Sequence, residues 1–508
     1  MTKERLIGLV LAVVTVIAVM VNQRDVGIAR DETVYMTAGA SYAKWWLGGF
    51  GPIEKTWGGP MGGGTNPEHP PFVKELEGLS HAALSGVFGE VGAYRFPSAV
   101  LHGVCVWLVY SLTLELWGLA EGLLAALALL LLPRALFHAG LAAFDAPIMT
   151  LWFATVVAYW RGLDGRKWPW QAGVVWGLAL ATKHTAVLLP FALGLHYAVI
   201  AWRAKKPLVH WRVVVSLAVL GPLVFFALWP NLWTAPIAHT RAWLAFHMHH
   251  VHYNFEYLGT NWNAPRFPWH VALVTTLFTV PTATLAAAVT GAAVWIRKRP
   301  SDERAPVLLL VLSAAASIGP FFLGTTPIFG AEKHWMPALP TICIAAGVGG
   351  VWAARQIKHR LAVPILTACI ALAGATEVVT AHPYALTWYS ALAGGAPGGA
   401  DHGMNRQFWG VAAKGVLPFL ATQPPGPVYS HDASPAWGWY AKLGLLPKGF
   451  PDSGHEDQGV RASKYAIVIH EKHFNRHDYM IWHSYGTVRP VFVLRADGVP
   501  IVSVYKRP

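Results

Sequence analysis

Ala29-Arg30-Asp31-Glu32-Thr33-Val34-Tyr35 lies just beyond the first membrane-length apolar run, Leu6 to Val21. That run carries no charge and sits near the lower end of the roughly 17–25 residues a spanning helix needs. Two adjacent carboxylates where such a helix meets water call for a reason. A charged side chain costs about 2.5–3.5 kcal/mol at the centre of a membrane helix and less toward the interface. The interface is therefore the cheapest place to keep an acid that must meet a lipid-borne reactant. The stretch points to chemistry at a membrane surface.

The rest of the chain agrees with a polytopic membrane protein. Of its 508 residues 54% are hydrophobic and 13% charged, against roughly 25% charged in an average soluble chain. The formal charge of +13 does not indicate nucleic acid, because the basic residues recur in short loops between apolar runs and form no stripe interleaved with aromatics. Cys105, Cys343 and Cys369 lie inside apolar runs, with neither metal-ligand nor disulfide spacing, and read as small core residues. No convincing cleavage site precedes Asp31, so the first run reads as a retained helix.

Runs suited to spanning occur at about 6–22, 96–116, 119–137, 143–161, 170–182, 185–202, 211–229, 270–296, 306–324, 335–353 and 362–380. Eleven passes from a cytoplasmic N-terminus put the basic loops on one side: Lys3/Arg5, Arg161/Arg166/Lys167, Arg203/Lys205/Lys206, Arg297/Lys298/Arg299 and Arg355/Lys358/Arg360. The outer side then receives a long first loop at about 23–95 with interfacial helices and a Gly-rich turn near Gly58–Gly64. It also receives a histidine- and aromatic-rich loop at about 230–269 and a polar tail. The expected division is a transmembrane catalytic domain over 1–380 and a small α/β or β-rich extracytoplasmic domain over 381–508. Within the tail, Tyr465–His470 and Val488–Tyr505 read as strands, the latter turning back at Asp497-Gly498.

The candidate site gathers on the outer face. Neighbours on a helix sit about 100° apart, so one of Asp31 and Glu32 is a general base while the other orients it or holds the acceptor. Asp145, in Asp145-Ala146-Pro147, reads equally as a helix N-cap or as a second acid at the depth of Asp31. Asn66-Pro-Glu-His-Pro-Pro-Phe-Val-Lys74 presents Glu68, His69 and Lys74 from a loop stiffened by paired prolines. Its Gly-rich prelude lacks the Gly-Lys-Ser/Thr of a nucleotide phosphate loop. Lys183, His184, Arg241, Lys333 and His334 are basic groups on the same face, able as a set to neutralise a phosphate dianion. His247, His249, His250 and His252 allow helical i,i+3 pairs that can ligate a divalent metal. The favoured alternative is contact with phosphate or sugar, because basic side chains alone suffice for a phosphate leaving group. No cofactor is required; a divalent metal is the one candidate.

With these residues in hand the chain resembles the C-type (GT-C) glycosyltransferases. Within them it is similar to the polyprenyl-phosphate-dependent protein O-mannosyltransferases and bacterial lipid A aminoarabinose transferases. The resemblance rests on Arg30–Tyr35, Glu68–Lys74, Arg95-Phe-Pro-Ser98, the Asp145 pattern, Gly177–Lys183 and Lys333–Pro340. It continues through His382-Pro-Tyr384, Tyr389, Gly394-Gly395 and Phe408-Trp409-Gly410, and so covers about residues 1–420. It implies a polyprenyl-phosphate-linked sugar as donor, an inverting displacement and catalysis on the extracytoplasmic face of the inner (plasma) membrane. By motif it implies Asp31 as base, Asp145 as second acid, and Lys183 and Lys333 as contacts to the donor phosphate. The acceptor would be a cell-envelope glycan, lipid or protein; no sensor domain is inserted in the outer loops, which weighs against protein. The rival reading is a polytopic lipid or sugar transporter or flippase. Its site would lie near mid-membrane between repeats, whereas here the ionisable residues gather at one face.

Overall fold

A computed structural model describes residues 2–58, 65–165, 167–206, 210–297, 303–471 and 475–508. Most of the Gly-rich turn, together with Arg166, Lys298 and Arg299 of the basic loops, lies outside the described residues. All eleven apolar runs fall on helical segments. Six helices among the described residues are long and apolar enough to cross a membrane. Leu119–Leu130 with Pro133–Ala139, bent by 67°, makes a seventh if the pair is one span. Two runs break where a proline stands. The 119–137 run bends at Pro133, and the 270–296 run divides into Val271–Thr279 and Thr282–Arg297 around Pro281. A proline disfavours helix at the residue before it and removes a donor.

The long segment before the Glu90–Leu116 helix is itself helical, with Arg30–Leu47, Ile53–Thr56 and Phe72–Phe88. The first and last of these cross with their backbones in contact. A methyl at Gly39 would stand 2.4 Å from the Lys74 carbonyl oxygen, and one at Gly78 would stand 1.9 Å from that of Gly39. Only glycine allows that approach, and it locks the Asp31 helix against the helix that begins after the paired prolines.

Residues 428–506 contain a four-stranded sheet ordered Val428–Tyr429, Tyr465–Ile469, Val499–Lys506, Phe492–Ala496; the first pair is parallel and the others antiparallel. Asp497 and Gly498 join the last hairpin with φ of 47° and 79°, the left-handed pair that a two-residue turn requires. Ile467, Ile469, Val502 and Val504 share an apolar core with Ile28, Met36, Tyr94 and Ala142. The sheet is thereby seated on the beginning of the Asp31 helix.

Candidate active site

Asp31 occupies the first turn of the Arg30–Leu47 helix. Its Oδ2 accepts a 2.8 Å bond from Trp409 Nε1 and its Oδ1 stands 3.3 Å from Arg30 Nε. Trp409 has a φ of 68°, uncommon for a bulky side chain. Its carbonyl accepts the Arg30 amide at 2.8 Å, fastening that loop to the helix start. The carboxylate opens into a cavity of about 630 Å³, within the range of pockets that bury small ligands.

Glu32 faces the other way. Its two oxygens accept Arg95 Nε and Nη2, both at 2.8 Å, and the backbone amides of Ala29 at 2.8 Å and Ala142 at 2.7 Å. It is fully buried and does not line the cavity. The expectation that it orients Asp31 or holds an acceptor is therefore corrected. Four donors, two of them on an arginine carried by another helix, consume its lone pairs.

Asp145 is the first residue of the Asp145–Gly162 helix, and the N-cap position belongs to Phe144. Asp145 Oδ1 meets Lys183 Nζ at 2.6 Å in a buried ion pair. Of the two readings of Asp145-Ala-Pro, the capping one is set aside. Lys333, on the Ala331–His334 turn, holds its ammonium over Trp409 at 3.9 Å, Phe329 at 4.8 Å and Phe408 at 5.5 Å. Burial pulls its pKa down to about 8 against the opposing pull of Asp145 and Asp31. Aromatic faces hold a cation without neutralising it, so Lys333 remains available to an anion. Asp31, Asp145, Lys183 and Lys333 all line the same cavity.

The remaining candidates divide. Glu68, His69, His184, His247, His249, His250 and His334 line that cavity; Lys74, Arg241 and His252 do not. Lys74 Nζ donates at 2.8 Å to the Asn66 carbonyl, to Asn66 Oδ1 and to the His69 carbonyl. It braces the loop from behind, and burial pulls its pKa down to about 7. Arg241 is exposed on the Pro236–Met248 helix. That helix ends at Met248, so the i,i+3 pairing expected of His247 with His250 and His249 with His252 is not formed. His249 and His250 bond backbone carbonyls at 3.0 and 2.8 Å instead. His247 stacks on His184 at 3.8 Å between ring centres, and its Nε2 meets the Glu68 carbonyl at 2.9 Å. Burial pulls the His247 pKa down to about 4, so a neutral imidazole faces the cavity. Among the described residues no three His, Cys, Asp or Glu side chains are grouped as a metal ion requires.

Sequence reading missed Arg134. It lies in the 119–137 run, buried, with Nη1 2.7 Å from Glu332 Oε2 and Nη2 near the carbonyls of Leu386 and Trp388 at 3.0 and 2.9 Å. This pair fixes the residue before Lys333. A buried arginine inside an apolar run was the available signal.

The cavity is lined by acids and lysines together with apolar side chains such as Val34, Val187, Leu188 and Phe321. Two comparisons with known proteins place the chain beside glycosyltransferases. The family model for dolichyl-phosphate-mannose-protein mannosyltransferases matches residues 68–229, the part that carries Glu68, Asp145 and Lys183. Over 97% of both chains the fold is similar to that of ArnT from Cupriavidus metallidurans in the apo state, at 13% identity and a TM-score of 0.56. The same enzyme bound to undecaprenyl phosphate gives 14% identity, a TM-score of 0.53 and the same coverage. No curated protein matches the chain. The chain has the fold of a C-type glycosyltransferase.

Proposed function

We propose that this protein transfers a sugar from a polyprenyl-phosphate donor to an acceptor hydroxyl or phosphate outside the cytoplasm, with inversion at the anomeric carbon. The observation that carries this reading is the single cavity onto which Asp31, the Asp145–Lys183 pair and Lys333 all open. Asp31 takes the acceptor's proton as its oxygen attacks the anomeric carbon. The bond from that carbon to the phosphate oxygen breaks, and the departing lipid phosphate gains charge. Lys333 and Lys183 receive that charge in a site where water cannot screen it. Asp145 holds Lys183 in place. Apolar walls from Val34, Val187, Leu188 and Phe321 suit the first isoprene units. The similarity in fold to ArnT bound to undecaprenyl phosphate supports a lipid phosphate as the leaving group.

The test is turnover by the purified protein in liposomes with a panel of radiolabelled undecaprenyl-phosphate sugars and cell-envelope acceptors. Release of undecaprenyl phosphate with an inverted product supports the reading. Movement of an intact donor between leaflets without cleavage would make the protein a flippase.

The same reading places the active site on the extracytoplasmic face of an eleven-pass chain, with the tail on that face. Thr422 and His359 are both exposed. The Thr422→Cys variant is expected to react with a membrane-impermeant thiol reagent in intact spheroplasts, and His359→Cys only after lysis. Labelling of His359→Cys in intact cells would overturn the topology, since Arg355, Lys358 and Arg360 flank that position.

A further inference from the structure

We propose that Asp432, brought from the sheet region of the tail, is a positioning residue for the base: it holds Arg30 so that Asp31 keeps its lone pairs for the acceptor. This rests on the transferase reading above. Asp432 Oδ1 lies 2.6 Å from Arg30 Nη1, a short charge-assisted bond, whereas Arg30 Nε is 3.3 Å from Asp31 Oδ1. The guanidinium therefore belongs chiefly to Asp432 and only leans on Asp31. Without Asp432, the planar fork of Arg30 would be free to close on Asp31 as a bidentate pair, masking the oxygens a general base needs.

The turn that presents Asp432 is built to stay put. Ser430 and Ser434 stand on either side of it, and both hydroxyls donate to Asp452, at 2.9 and 2.6 Å. His431, in the same His431–Ala433 turn, has a φ of 55°. Arg30 is held at its other end by the amide bond to the Trp409 carbonyl, and Trp409 in turn bonds the second oxygen of Asp31. Asp432 is 4% exposed, and among the described residues neither its Oδ2 nor Glu471 Oε2, both buried, has a hydrogen-bond donor. Burial and the like charge of Asp432 push the Glu471 carboxyl well above the usual range. The other charged groups on the cavity wall with Asp31 are Glu68, Asp145, Lys183 and Lys333, and the histidines His69, His184, His247, His249, His250 and His334 face the same cavity.

The test uses the full-length protein in nanodiscs. A water-soluble carbodiimide, which labels protonated carboxyls, is applied across a pH series, and modification of Asp31 is read by mass spectrometry. In Asp432→Asn the labelling midpoint of Asp31 is expected to fall by about one pH unit, the effect of a cation closing on a carboxylate. Asp432→Glu is expected to restore it. kcat is expected to fall about tenfold in Asp432→Asn, with KM for the lipid-linked sugar within twofold of the parent. An unchanged labelling midpoint in folded Asp432→Asn would overturn the proposal, whether or not the protein turns over any sugar. Absence of turnover by the parent protein would instead count against the transferase reading and leave the labelling result to decide this one. A second pair of variants covers poor folding of the first. In an Arg30→Gln background, where neither partner is left charged and unpaired, Asp432→Asn is expected to leave the Asp31 midpoint where Arg30→Gln alone put it, because Asp432 acts through Arg30. A further shift would show that Asp432 acts by another route.

Discussion

Asp31→Asn is expected to lower turnover by about 10²–10⁴-fold, the span associated with loss of a general base, with little effect on folding or on binding of undecaprenyl phosphate. The substitution is nearly isosteric. The amide oxygen can still accept the Trp409 indole N–H, which now bonds Oδ2 at 2.8 Å, so the loop that fastens to the helix start keeps its anchor. What disappears is the ability to accept a proton. In the proposed mechanism donor binding draws on Lys183 and Lys333, which line the same cavity; Lys183 bonds Asp145, not Asp31. The measurements are single-turnover rate, thermal melting in detergent and lipid-phosphate affinity on one preparation. Turnover within a few-fold of the parent would remove Asp31 from the chemistry and leave Asp145 as the acid to examine.

How far the sequence could be read depended on the range of the interactions involved. Apolar runs are local, and every one of the eleven lies on helical segments. The breaks at Pro133 and Pro281 are local too, and the prolines were in view; run length outweighed them. The meeting of Asp31, Asp145, Lys183 and Lys333 was legible because a membrane sorts loops by side, so residues far apart in the chain share a depth. Depth does not fix rotation. Whether Asp31 or Glu32 faces the cavity is decided by Arg95, which lies 63 positions from Glu32 in sequence. Lys74 looked like a group presented to the site because nothing local told its oxygen partners on Asn66 and His69 from a ligand. The histidine pairs failed because they assumed a helix continuing beyond Met248, where none continues. Asp432 left no trace in sequence pattern. Its partner Arg30 is 402 residues away, and a pairing at that distance has no periodicity to announce it.

The neighbouring carboxylate is expected to behave in the opposite sense. Glu32→Gln should destabilise the protein by about 3–5 kcal/mol, the cost of breaking a buried ion pair by removing one partner's charge. Arg95 is 1% exposed, and among the described residues Glu32 is the one carboxylate its guanidinium bonds; its other acceptors there are the carbonyls of Gln23, Val26 and Gly27 and the side-chain oxygen of Gln23. A glutamine offers one oxygen where Glu32 now offers two, so among the Arg95 guanidinium and the Ala29 and Ala142 amides at least one buried donor loses its acceptor. Because Ala29 precedes the Asp31 helix and Ala142 shares the core beneath the sheet, the damage spreads to both sides of the site. The expected result is a lowered melting temperature and a poor yield of monodisperse protein, while molecules that remain folded keep most of their turnover. A Glu32→Gln protein that melts like the parent yet has lost turnover by the factor expected of Asp31→Asn would reverse the assignment. The base would then be the carboxylate that four buried donors now hold.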